Sequence, residues 1–163
     1  MSLKEKIFNY LLNKQPKRIV TMPQWDKPCK IAVLHDGGDI TALIGRLQKS
    51  DNPAAKRQIT VFTLPDEKEV CTLLDRPKKA VIQRITADQF DLLIDLTQQV
   101  TLTSLYMALY IRANFKVGRY TRDGIYDLTI NTPPQDTPDF LFEQILKYLN
   151  LFTNPATSTS EKQ

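Results

Sequence analysis

Three short apolar runs constrain this chain more than anything else in it. Ile31-Ala32-Val33-Leu34, Ile59 to Leu64, and Phe90-Asp91-Leu92-Leu93-Ile94-Asp95-Leu96 are close to continuous rather than alternating. That pattern suits strands covered on both faces. Between them the apolar spacing turns helical. Ile40, Leu43, Ile44 and Leu47 share one face after the first run, and Asp66 to Leu74 reads as a short helix with Val70, Leu73 and Leu74 inward. Strands joined through helices are joined by crossovers, and crossovers make neighbours parallel.

The remaining elements extend the same plan. Ser2-Leu3-Lys4-Glu5 has the spacing of a capping box, followed by Leu3, Ile7, Tyr10 and Leu11 on one helical face. Pro16, Pro23 and Pro28 then mark an extended connector. Ala80 to Ile85 reads as a weak edge strand, Thr101 to Ala113 as a long helix, and Phe115 to Gly118 and Ile125 to Ile130 as two further strands. In the last of these, Tyr126, Leu128 and Ile130 alternate with Asp127 and Thr129, which marks a half-exposed face. Asp136-Thr137-Pro138-Asp139 opens a final helix, with Leu141, Ile145, Tyr148, Leu149 and Phe152 as its buried stripe and Glu143–Lys147 as an i, i+4 pair. The sum is an α/β protein: a three-layer, doubly wound, mostly parallel sheet of about five strands, Rossmann-like, with an N-terminal helix. Its expected divisions are a basic helix and connector at 1–29, the α/β domain at 30–152, and a disordered tail at 153–163.

Charge bears on partners. The net charge is +4, yet residues 1–30 hold seven basic groups against Glu5 and Asp26, giving +5, and the remainder balances to −1. Basicity is thus a property of the N-terminal segment. That segment suits packing of its apolar face on the domain, with adsorption to an anionic membrane through residues 1–18 as the alternative. Arg119, Tyr120 and Arg122 form a basic–aromatic cluster without a recognition motif, so nucleic acid is not an expected partner. Cys29 and Cys71 lie in no CxxC or Cys/His pattern, which gives no metal site, and no cofactor motif is complete. Without a signal peptide or a long uncharged run, a cytoplasmic protein with reduced thiols is the expectation. The helix from Thr101 is almost wholly apolar, which suits deep burial, with a homo-oligomer contact as the alternative.

In open α/β sheets, ligands collect beyond the carboxyl ends of strands where the strand order reverses. Two loops qualify, His35 to Asp39 and Asp95 to Gln99, which would bring His35, Asp36, Asp39, Asp95 and Thr97 together. Gly37 and Gly38 let backbone amides approach a small anionic or sugar ligand, but the phosphate-loop spacings are missing. A two-glycine turn with Asp39 as the helix cap is the plainer reading. His35, the single histidine, is a candidate general base or simply a polar strand end. Asp91 and Asp95 share a face but stand roughly 13 Å apart at about 3.3 Å per residue, too far to share a proton. Asp95 is the candidate of the two, either as a functional carboxylate or as a cap for the following loop.

Lys30 to Ile40 resembles the opening strand and Gly-Asp loop of bacterial heptosyltransferases of the two-domain glycosyltransferase type, and Phe90 to Leu96 with Phe115 to Arg119 looks like their later strand pair. The resemblance implies Asp39 as a base on an acceptor hydroxyl. Those enzymes bind the sugar-nucleotide donor largely with a second α/β domain, which is not found in these residues, so transferase activity does not follow from the fold. The pattern "FDLLIDL … A.FKVG … YDL.I … F..QI..YL", at Phe90–Leu96, Ala113–Gly118, Tyr126–Ile130 and Phe142–Leu149, is similar to small uncharacterised bacterial proteins and implies no activity. Two functions therefore stand as expectations: a non-catalytic ligand- or partner-binding module, or an enzyme acting on a phosphorylated or sugar substrate at the strand ends.

Overall fold

A computed structural model describes residues 1–50, 52–64, 71–119, 121, 124–133 and 137–153. Among these the elements run α1 (Leu3–Lys14), β1 (Cys29–His35), α2 (Thr41–Gln48), β2 (Arg57–Thr63), α3 (Lys79–Ile85), β3 (Gln89–Asp95), α4 (Leu102–Tyr110), β4 (Arg112–Arg119), β5 (Leu128–Ile130) and α5 (Pro138–Thr153). The five strands form one sheet in the order β2-β1-β3-β4-β5, and every neighbouring pair is parallel. Val33 lies opposite Val61 on one side and Ile94 on the other, so the three apolar runs are adjacent and co-directional, as their composition predicts. The order reverses between β1 and β3, which makes the sheet doubly wound with its switch point there.

Side chains alternate across β1 and so divide the core in two. Ile31 and Val33 face Leu43 and Leu47 of α2 and Leu141, Phe142, Ile145 and Leu149 of α5. Ala32 and Leu34 face Phe8 of α1, Val81 and Ile85 of α3, and Tyr106, Met107 and Ala108 of α4. Both faces are covered over β1, β3 and β4, giving three layers; the edge strand β2 departs from the expectation of cover on both sides, with Val61 exposed and none of its residues fully buried. Trp25, from the connector, closes the first core, and the Arg57 guanidinium lies 3.9 Å from its ring centroid.

The capping box forms: the Ser2 hydroxyl accepts from the Glu5 amide while the Glu5 carboxylate accepts from the Ser2 amide. The buried face of α1 matches the predicted one only in part, with Ile7 and Leu11 half-buried as expected. Leu3 and Tyr10 are exposed, and Phe8 is the anchor, edge-on to Tyr106 of α4 at 4.9 Å with Leu11 and Leu12 beside it. Packing a ring outweighs packing the smaller side chains one position away.

Other expectations need correction. Lys79–Ile85 is a helix, not an edge strand, because Val81 and Ile85 bury at i, i+4 spacing and the Thr86 hydroxyl donates to the Ile82 carbonyl at 2.7 Å. No helix runs through Cys71 to Leu74. Cys71 bridges to Pro77, Asp75 takes a left-handed φ of 59°, and Leu73 is exposed; residues 66–70 of that expected helix lie outside the described residues. The helix from Thr101 ends at Tyr110 rather than Ala113, since Ile111 is already extended and β4 begins at Arg112. Only Leu128–Ile130 of the last predicted strand pairs. In α5, Tyr148 is partly exposed, Phe142 takes its place in the core, and Glu143 reaches Arg46 of α2 instead of Lys147. The side chain of Phe152, Asp136 and residues 154–163 lie outside what is described, and Thr153 still belongs to the helix.

Candidate functional site

The switch point places the loops after β1 and β3 side by side. Leu34 pairs with Asp95 across the two strands, and the chain bends away just beyond each. Gly37 and Gly38 sit at φ of 130° and 85°, and a Cβ on either would meet nothing within 4 Å. Their requirement for glycine is therefore conformational and not steric crowding.

The two loops are latched together by Asp36. One oxygen of its carboxylate accepts from the Gln98 and Gln99 amides, both at 3.0 Å. Adjacent amides just ahead of a helix are what a bound phosphate uses in folds of this type. Here a side chain of the chain itself fills that role.

Asp95 is buried to 3% exposure. It accepts from the Thr97 amide at 2.9 Å and, through its other oxygen, from the Tyr126 hydroxyl. Burial pushes its carboxyl above the ordinary range; the Thr97 and Tyr126 hydrogen bonds oppose that, and the neighbouring Asp36 charge adds to it. Tyr126 reaches Asp95 by lying across Gly118 of β4, where a Cβ would stand 2.7 Å from a ring carbon. Arg119, the next residue, is buried and donates to the Thr97 carbonyl at 3.2 Å, to the Thr132 hydroxyl and to the Pro133 carbonyl at 3.2 Å.

Not all of the predicted cluster assembles. Asp36, Asp95 and Thr97 come together. His35 turns to the other side of β1, where Nδ1 receives the Gly37 amide at 3.3 Å and Nε2 lies 3.0 Å from the Thr63 hydroxyl of β2. Asp39 faces solvent, and its carboxylate accepts from the Thr41 amide at 2.9 Å; hydrogen bonds from the Thr41 side chain and then its amide hold the Asp39 pKa below the usual carboxylate value. It thus turns the chain into α2, one residue ahead of Ile40 at the cap position. Asp91 lies at the other end of β3 and accepts from the Lys30 amide at 2.8 Å. Of the basic–aromatic cluster, Arg119 is inward, while Tyr120 and Arg122 lie outside the described residues.

Sequence reasoning passed over three residues. Asp36 was placed near the site but given no task. Tyr126 was read only as one step of an alternating strand. Lys116, in the apolar context Phe115-Lys116-Val117-Gly118, occupies an inward position of β4 at 2% exposure; a lone lysine within a continuous apolar strand was the available signal. Among the described residues no three His, Cys, Asp or Glu side chains could hold a metal ion, and no helix is long and apolar enough to cross a membrane. Burial together with Asp91 pushes the Cys29 thiol up to about 12, which leaves it unreactive.

Fold and switch point together define a doubly wound α/β protein whose strand-end loops are held by their own side chains. The chain belongs to a family of unknown function (DUF6913), which matches residues 67–152, more than half of its length. The matched stretch contains the segments at Phe90–Leu96, Ala113–Gly118, Tyr126–Ile130 and Phe142–Leu149. No curated protein and no solved structure matches the chain, and the likeness to heptosyltransferases gains no support.

Proposed function

We propose that this protein is a non-catalytic α/β module that acts by binding a ligand or partner, with its switch-point groups given over to holding the fold. The observation that carries the reading is the Asp36 latch: one carboxylate already accepts both loop amides that an anionic substrate would need. The remaining polar groups point the same way. Asp95 is committed to Thr97 and Tyr126, His35 to Gly37 and Thr63, and Asp39 to the start of α2. A general base must reach the proton it removes, and none of these side chains stands ready at a shared point.

The test is a thermal-unfolding screen of nucleotides, sugar phosphates and acyl donors. The expected outcome is no rise in Tm with any of them. Asp39→Asn should change stability by no more than about 1 kcal/mol, the worth of one capping interaction. A rise in Tm with a sugar phosphate or nucleotide, lost in Asp39→Asn and accompanied by turnover of that compound, would instead establish an enzyme acting on a phosphorylated or sugar substrate at the strand ends.

A further inference from the structure

At the amino end of the sheet, away from the switch point, the structure holds a cleft of about 730 Å³. It lies between the end of α1 with its connector, the α3–β3 turn, and the junction of α4 with β4. Its size is that of pockets that take small organic molecules. Leu12, Ile19 and Leu109 supply apolar wall, and Arg18 and Lys116 supply charge.

The charges do not balance. Lys116 lies opposite Leu93 in the sheet, with Nζ donating to the Ala108 carbonyl at 2.6 Å and the Leu109 carbonyl at 3.2 Å. Both are orphan acceptors of the last turn of α4, where a cation is favoured by the helix dipole. An ammonium has three protons, and these bonds use two. The carboxylate whose charge acts on Lys116, Asp127, is already gripped by Arg18, whose Nη2 lies 2.9 Å from each of its oxygens, and it also accepts from the Lys116 amide at 2.8 Å. Lys116 itself makes no ion pair among the described residues. Burial, aided by Arg18 and opposed by Asp127, depresses its pKa to about 7. Arg112 and Tyr110 are the other titratable groups on the described cleft wall.

We propose that this cleft binds a small monocarboxylate with an apolar body, whose carboxylate accepts the third proton of the Lys116 ammonium while its body lies against Leu12, Ile19 and Leu109. The inference rests on reading the chain as a binding module and adds the class of ligand. A buried cation short of one counter-charge, beside an apolar hollow, is complementary to an amphipathic anion and not to a neutral or polyanionic molecule. Binding the anion restores the charged form of Lys116, so complex formation near neutrality takes up a proton. Above about pH 7 the free ammonium is depleted, and affinity falls by up to tenfold per pH unit.

Hexanoate and its neutral counterpart hexanamide test this on the full chain, by calorimetric and NMR titration at about pH 6 and about pH 9. Hexanoate is expected to bind at the lower pH, to shift the methyl signals of Leu12, Ile19 and Leu109, and to weaken at least tenfold at the higher pH. Hexanamide should bind at least tenfold less well at the lower pH. Lys116→Met should abolish binding, but it also strips two α4 carbonyls of their donor and could unfold the chain. Ile19→Glu is therefore the second variant: position 19 is 87% exposed, so the fold is retained, while a carboxylate at the cleft mouth should weaken hexanoate at least fivefold. Equal binding of amide and acid, no change between the two pH values, or shifts located elsewhere would overturn the proposal. Failure of both compounds to bind removes the site but leaves the binding-module reading, whereas conversion of bound hexanoate to a product removes the non-catalytic reading and leaves the site.

Discussion

Asp95 is a carboxylate in a place that disfavours its charge. Sequence position alone selected it, as a polar residue at the end of the most apolar strand, and the plainer of its two readings, a cap for the following loop, is what its bond to the Thr97 amide supplies. Its burial adds a pH signature that sequence could not reveal. Because the folded-state value is raised, the group's favourable contribution is complete below the ordinary carboxylate value near about 4 and is lost as pH rises through the raised one. Asp95→Asn does not titrate, so its unfolding free energy from urea denaturation should lack that decline and match or exceed the parent at neutral pH. Parallel pH profiles for the two proteins would mean that the carboxyl ionises normally. The Asp36 latch was less legible. Its two acceptor contacts join residues more than sixty positions apart, and nothing in the local spelling His35-Asp36-Gly37-Gly38 distinguishes a latch from a turn.

Among the elements, legibility follows how much of each is decided locally. The capping box of α1 and the start of α5 are short-range devices and formed as spelled. The buried face of α1 was partly displaced because the choice depends on what α4 offers, and Tyr106 offers a ring edge to Phe8. Phe8→Ala should cost about 3–5 kcal/mol in chemical denaturation, as for other large-to-small changes in a core. Leu3→Ala, at 68% exposure, should stay within about 0.5 kcal/mol. Equal losses at the two positions would show that the face was assigned wrongly. In α3, β-branched Val81, Ile82 and Ile85 suggested a strand, but tertiary burial at helical spacing decided the matter. The α4–β4 junction was missed for a similar reason. The last α4 carbonyls take their donor from Lys116, a residue that lies beyond the turn and already inside the strand, so no glycine or proline was needed to mark the stop.

At the scale of the whole molecule, the sheet was the most legible feature. Continuous apolar runs spaced by helices leave few alternatives to parallel crossovers, and the observed order carries the three runs in its centre and at one edge. The order of strands also fixed which loops would meet, though not what they would do on meeting. One contact ties three strand ends together at once. The Tyr126 ring, arriving just before β5, passes over Gly118 of β4 to cap Asp95 of β3. Gly118→Ala should lower stability by about 1–3 kcal/mol, the range for forcing extra volume into a packed site. In a Tyr126→Leu background the same change should cost much less, a non-additivity that a double-mutant cycle of denaturation midpoints will measure. Strict additivity would show that ring and glycine do not depend on each other.

Position 118 thus works as a keyhole through which the phenol is threaded. A lineage that acquires any side chain there evicts the tyrosine, leaves an acid uncovered in the interior, and loosens the seam on which β5 docks. Drift at these two sites is therefore permitted only in step, and a relative in which the glycine is replaced should have lost the aromatic ring as well.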